Sequence, residues 1–155
     1  MKNLGVFLVT CLLGLSLTGC NKIQSLAMGE VATVKAGILD FDKSLTIGQA
    51  FDSYQYFKST KWEDLKTDNG RKGCLVKCEI DTNKHPTVNV SRNPDLKSVE
   101  MQYQFFVNQD KSIQVNWCGI AVEKTDGSRI EPEKNVNLVS CMASLKSIYN
   151  NQPVS

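Results

Sequence analysis

Six cysteines and a single histidine are the residues of this 155-residue chain whose chemistry could decide its function: Cys11, Cys20, Cys74, Cys78, Cys118, Cys141 and His85. One histidine leaves any Ser-His-Asp or Cys-His arrangement a single available base. His85 stands in a polar stretch, Thr82 to Asp95, between two alternating apolar segments. Connections of that length are uncommon unless functional or disordered. The stretch reads as a solvent-exposed connector or as a recognition loop, with His85 and Arg92 as its candidate contact residues. Asp40, Asp42, Glu63 and Asp64 are near-neighbour carboxylates of a kind any soluble chain carries. Asp68-Asn69-Gly70 lacks the rest of a calcium loop, and neither a His-Glu-x-x-His nor a phosphate-cradling glycine motif occurs. The sequence therefore nominates no catalytic residue, no metal ligand and no cofactor.

The first twenty residues read as a processing signal. Lys2 supplies a short positive region, and Leu4 to Leu17 is apolar apart from Thr10 and Ser16. That run falls short of the roughly 20 residues a spanning helix needs. Leu17-Thr18-Gly19-Cys20 follows, and here the chain resembles the bacterial lipoprotein signal family, whose lipobox is a leucine, two small or polar residues and a cysteine. The resemblance implies cleavage before Cys20 and a diacylglycerol carried on its thiol. Two or more acyl chains give stable membrane attachment without a spanning helix. Asn21 is not the aspartate that the family's sorting rule links to inner-membrane retention. The implied address is the outer membrane, facing the periplasm.

Removing residues 1–19 discards Cys11, and lipid would occupy Cys20. Cys74, Cys78, Cys118 and Cys141 remain, an even number in an exported chain, which argues for disulfides. Free thiols or a four-cysteine zinc site are the alternatives, although zinc ligands usually come as two close pairs and only one exists here. Cys74 and Cys78 share one face of a strand, with Cα atoms roughly 13 Å apart at about 3.3 Å per residue. A disulfide needs less than about 7 Å, so the two should not pair with each other. Pairings 74–118 with 78–141, or 74–141 with 78–118, survive.

The formal net charge is +2, and only Lys2 leaves with the signal. Without a dense Lys/Arg stripe, nucleic acid is not the expected partner. The basic excess between Lys58 and Lys84 is interrupted by Glu63, Asp64, Asp68, Glu79 and Asp81.

The elements that must position these residues are legible in the periodicity. Residues 20–32 read as the lipidated cysteine and a tether, and 33–155 as one domain. Val34–Phe41 reads as an entry strand. Thr46-Ile47-Gly48-Gln49 has the form of a capping box, opening a helix over 46–58 with Ile47, Ala50, Phe51, Tyr54 and Phe57 on one face. Trp62–Lys66 and 72–81 read as a hairpin around Asn69-Gly70. A second hairpin joins 99–107 to 113–117 through Asn108–Lys111. A bulge near Gly119 would repair the slipped phase and turn Cys118 inward. A last helix is expected from about Pro132, carrying Leu138, Cys141, Met142, Leu145, Ile148 and Tyr149 on one stripe. Trp62, Trp117, Tyr54 and Phe57 read as core and rim, and Tyr56 as the most exposed aromatic.

These elements sum to an α+β fold: an antiparallel sheet of four or five strands, packed by an earlier helix and a C-terminal one, and stapled by disulfides. Asp42 to Phe51, Trp62, Asp68 to Arg71 and Ile148 to Asn151 together look like a group of small exported bacterial proteins of unknown function, which lends a domain boundary and no activity. The expected function is a membrane-anchored, non-enzymatic module that binds an envelope component as accessory, inhibitor or exclusion factor. A small-ligand binding lipoprotein is the second expectation. A hydrolase is the third, and it would require His85 to meet a carboxylate or hydroxyl in a concave site.

Overall fold

The computed structural model describes residues 29–88, 93–133 and 137–154. The elements run α1 (Glu30–Ala36), α2 (Ile47–Ser53), β1 (Phe57–Lys66), β2 (Lys72–Ile80), β3 (Leu96–Val107), β4 (Ile113–Lys124), β5 (Arg129–Ile130) and α3 (Leu138–Tyr149). The strands form one antiparallel sheet in sequence order, β1-β2-β3-β4-β5. The helices lie on one side of it, giving the expected α+β architecture.

Alternation decides which side is which. Cys74, Val76, Cys78 and Ile80 of β2, with Val99, Met101, Tyr103 and Phe105 of β3, are buried toward the helices. Phe51 of α2 sits at the centre of that core, with its ring edge-on to Tyr103 at 5.2 Å and to Trp62 at 5.5 Å. Such aromatic pairs add about 0.5–1.5 kcal/mol each to the burial of their area.

The capping box at α2 forms in full: Gln49 N–H donates to the Thr46 hydroxyl, and Thr46 N–H to the Gln49 side chain. The helix nevertheless ends at Ser53, short of the expected 58. Tyr54 turns the chain and Phe57 opens β1, so aromatics spaced three and four apart serve two elements and still meet.

The expected strand at 34–41 is instead preceded and overlapped by helix α1. Val31, Thr33 and Val34 favour a strand locally, but Val34 is fully buried as part of the helix-side core. Asp64 of β1 accepts the Val31 N–H at 2.8 Å and so satisfies one of the helix's orphan donors. Residues 30–32, within the stretch expected to be tether, thus belong to α1.

The bulge lies at Asn116 rather than Gly119: Gln104 faces Trp117 and Phe105 faces Val115, leaving Asn116 as the extra residue. It does what the phase slip required, since Val115 and Cys118 are both buried. The last helix starts at Leu138, capped by Asn137, whose side chain accepts the Val139 N–H. Pro132 falls before it, in the chain leaving the short β5.

Candidate functional site

The two cysteines of β2 and those of β4 and α3 have separate fates. Cys118 and Cys141 form a disulfide, Cα–Cα 5.5 Å, that fastens α3 to β4. Cys74 and Cys78 are free and buried, so neither expected pair of bridges forms. Strand order explains this. Cys78 faces Met101 and Cys74 faces Phe105 on β3, while Cys118 lies beyond β3 opposite Tyr103. Two strand spacings are about 9.5 Å, too far for a disulfide. Burial pushes the Cys74 thiol up to about 12 and raises that of Cys78 as well. Neither is poised as a nucleophile, because the thiolate is the reactive form.

The face of the sheet away from the helices is polar and internally paired. Lys77 binds Glu63 at 2.8 Å, Lys58 binds Glu79 at 2.8 Å, Lys97 binds Glu123 at 2.7 Å and Arg129 binds Glu100 at 2.8 Å. Gln102 donates to Glu100, Asn116 to Gln104 and Arg71 to Gln114. A shallow depression of about 400 Å³ crosses this face over β1 to β5, lined by Lys61, Lys77, Glu79, Glu100, Glu123 and Arg129 among others.

The turn that follows β2 carries the histidine, which is not solvent-exposed. His85 is only 3% exposed. Its Nδ1 accepts the Val88 N–H at 3.2 Å and lies 3.2 Å from the Thr87 hydroxyl. Its ring packs edge-on to Tyr56 at 5.4 Å, so Tyr56 is half-buried rather than the exposed aromatic expected. An N–H donor at Nδ1 assigns the proton of the neutral ring to Nε2. That Nε2 makes no well-formed hydrogen bond. Burial lowers the histidine's pKa, and the Val154 backbone works weakly the other way. Among the described residues, the one hydroxyl hydrogen-bonded to the His85 ring is that of Thr87, within the same turn.

The C-terminal tail packs against the end of α2. Tyr54 donates its hydroxyl to the Gln152 carbonyl at 2.8 Å and accepts the Val154 N–H at 3.1 Å. Asn151 accepts the Gln55 N–H at 3.0 Å. Burial pushes Tyr54 up to about 12, which keeps it a neutral donor.

No family model, curated protein or solved structure matches the chain.

A third feature lies beside α3. A cleft of about 280 Å³ opens between that helix and β4, lined by Met101, Cys118, Ile120, Ser140 and Ser144 among others. Ile120, Ile130, Leu138 and Val139, large apolar residues left exposed, belong to the elements around it. Neither tryptophan lines it. Trp62 packs on Phe51 under Lys35, and Trp117 is half-buried with its indole N–H on the Glu133 carbonyl.

Cys20 and Arg92 lie outside the described residues. Among those described, no group of His, Cys, Asp and Glu side chains could hold a metal ion, and no helix is long and apolar enough to cross a membrane. The buried histidine had no local sequence signal. Its neighbours come from the α2–β1 junction and the C-terminal tail.

Proposed function

We propose that the protein is a lipid-anchored module of the bacterial envelope, attached through Cys20 and acting by binding another envelope component. The observation that carries this reading is the free polar face of the sheet. A five-stranded platform presents Lys61, Lys77, Lys97 and Arg129 to solvent-side partners while the helices occupy the opposite face. Polar, charged surfaces of this kind confer orientation and selectivity more than raw affinity, and anchoring offsets modest affinity by raising local concentration. Gly29, the first described residue, lies beside Asp64, and Glu30 lies near the hairpin turns at 67–71 and 108–112. The nine residues back to Cys20 span at most about 30 Å when extended.

Photo-cross-linkers placed at Lys61, Lys77 and Lys97 in intact cells test the reading. Capture of one discrete envelope protein, lost in Cys20→Ala, is the expected result. Capture of abundant proteins in proportion to their amounts would overturn it.

The cleft beside α3 favours a second reading, a small apolar ligand held against Met101 and Ile120. Native mass spectrometry of protein extracted from its own envelope checks it, an added mass that Ile120→Ser removes being the expected signature.

A further inference from the structure

We propose that His85 is a proton-operated latch: neutral, it fastens its own turn, residues 82–88, by accepting the Val88 N–H, and protonated, it gives up that contact and loosens the turn. The contact that makes it a latch is the Val88 N–H, which donates into the Nδ1 lone pair at 3.2 Å. A proton arriving on the neutral ring must take that lone pair, because Nε2 already carries one. Both ring nitrogens are then donors, and the Val88 N–H faces an N–H. The Thr87 hydroxyl, also at 3.2 Å, rotates and can accept instead, so it does not oppose protonation. A backbone amide has no such freedom. The turn must move, or the charge must stay away.

The surroundings give an imidazolium only the Val154 backbone to set against its burial, and burial outweighs it. On its own turn, Asp81 and Lys84 pair with each other at 3.2 Å, and His85 takes from Asp81 only the backbone carbonyl, at 2.9 Å. The α2–β1 junction contributes the Tyr56 ring and, holding the tail, the neutral Tyr54. The tail contributes the Val154 backbone. No charged side chain among the described residues adds to the histidine's shift, which burial alone sends downward. Arg92 and Ser155 lie outside the described residues.

The sign follows from the lowered pKa. Above the ordinary histidine value of 6.5 both folded and unfolded forms are neutral and the latch is at full strength. As pH falls through that value the open form takes up the proton first, and closure weakens until the folded pKa is passed. The turn carrying His85 thus becomes acid-responsive. Whether a partner reads that turn depends on the binding function proposed above; the latch itself does not.

A pH titration of the full chain by nitrogen-15 NMR tests the latch without any partner. The expected result is a His85 ring protonated on Nε2 at neutral pH, titrating below 6.5, with the Val88 and Val154 amide signals shifting at the same midpoint. Corrected amide exchange over residues 82–88 should quicken about tenfold per unit of depressed pKa traversed. In His85→Gln, which cannot titrate, that acid-dependent acceleration should vanish. A midpoint at or above 6.5, a ring protonated on Nδ1 at neutral pH, or Val88 and Val154 signals indifferent to the His85 titration would each overturn the proposal. The wild-type titration decides even if the variant fails to fold.

Discussion

Tyr54 and Val154, a hundred positions apart, are joined by one hydrogen bond: the tyrosine hydroxyl accepts the valine N–H at 3.1 Å and donates to the Gln152 carbonyl. Through this contact the last residues of the chain are tied to the end of α2. In Tyr54→Phe the buried Val154 N–H and the Gln152 carbonyl lose their partner together. The expected cost is about 1–3 kcal/mol, read as a lower urea midpoint with an unchanged slope.

The Cys118–Cys141 bridge closes a separation of 23 residues. The chain-entropy model assigns such a loop about 3 kcal/mol. Cys118→Ala with Cys141→Ala should therefore lower the urea midpoint as much as reducing the wild type does, and reduction should leave the double variant unmoved. A further loss on reducing that variant would reveal a second bridge.

Cys74 and Cys78 should behave as sealed thiols. Peptide mapping after alkylation should find both unmodified in the native protein and both modified once it is unfolded without reductant. Cys118 and Cys141 should react only after reduction. Rapid native labelling of Cys78 would contradict the burial that raises its pKa.

Gly73 and Gly70 sit three residues apart and should respond unequally to alanine. A Cβ on Gly73 would run into the Phe105 carbonyl across the strand pair, and backbone there cannot move aside cheaply. Gly70 has φ +78 in open space, so its cost is conformational only, about 1–2 kcal/mol. Thermal melts should rank Gly73→Ala as the more damaging change.

Three turns share the pattern Asp-x-Ser: Asp42 with Ser44, Asp110 with Ser112 and Asp126 with Ser128. In each, hydrogen bonds from the serine, hydroxyl first and amide second, hold the carboxyl below its ordinary value of 3.8. A lowered folded pKa means the turns are supported above that value and lose their support as pH falls through it. The amide signals of Ser44, Ser112 and Ser128 should shift with midpoints under 3.8, and Asp→Asn at each position should abolish its own transition.

Much of the sheet was legible because alternation is local. Val76 and Ile80, or Tyr103 and Phe105, announce their face by spacing alone, and Thr46 with Gln49 announces a helix start. The repeated Asp-x-Ser pattern was a usable turn signal that periodicity passes over. What escaped depends on partners far along the chain. Helix α1 takes a cap from Asp64, 33 residues on. The pairing of the cysteines turns on β3 standing between β2 and β4, which spacing cannot show. His85 is buried by Tyr56 and the tail, so its polar neighbours in the sequence mislead about its surroundings. The polar face proposed for binding read in the sequence as ordinary solvated charge, since paired lysines and glutamates look so until the register sets them side by side.

The order of the strands also governs what the chain meets as it folds. Each strand pairs with its successor, so hairpins can form in turn within microseconds, whereas disulfide formation takes seconds or longer. Cys74 and Cys78 come earlier in the chain than Cys118 and Cys141, and α1 and α2, earlier still, can pack over their face of the β1–β3 meander before either later thiol is oxidised. Chain order thus acts as a schedule: fast packing of early elements hides the two early thiols, and the slow covalent step is left to Cys118 and Cys141.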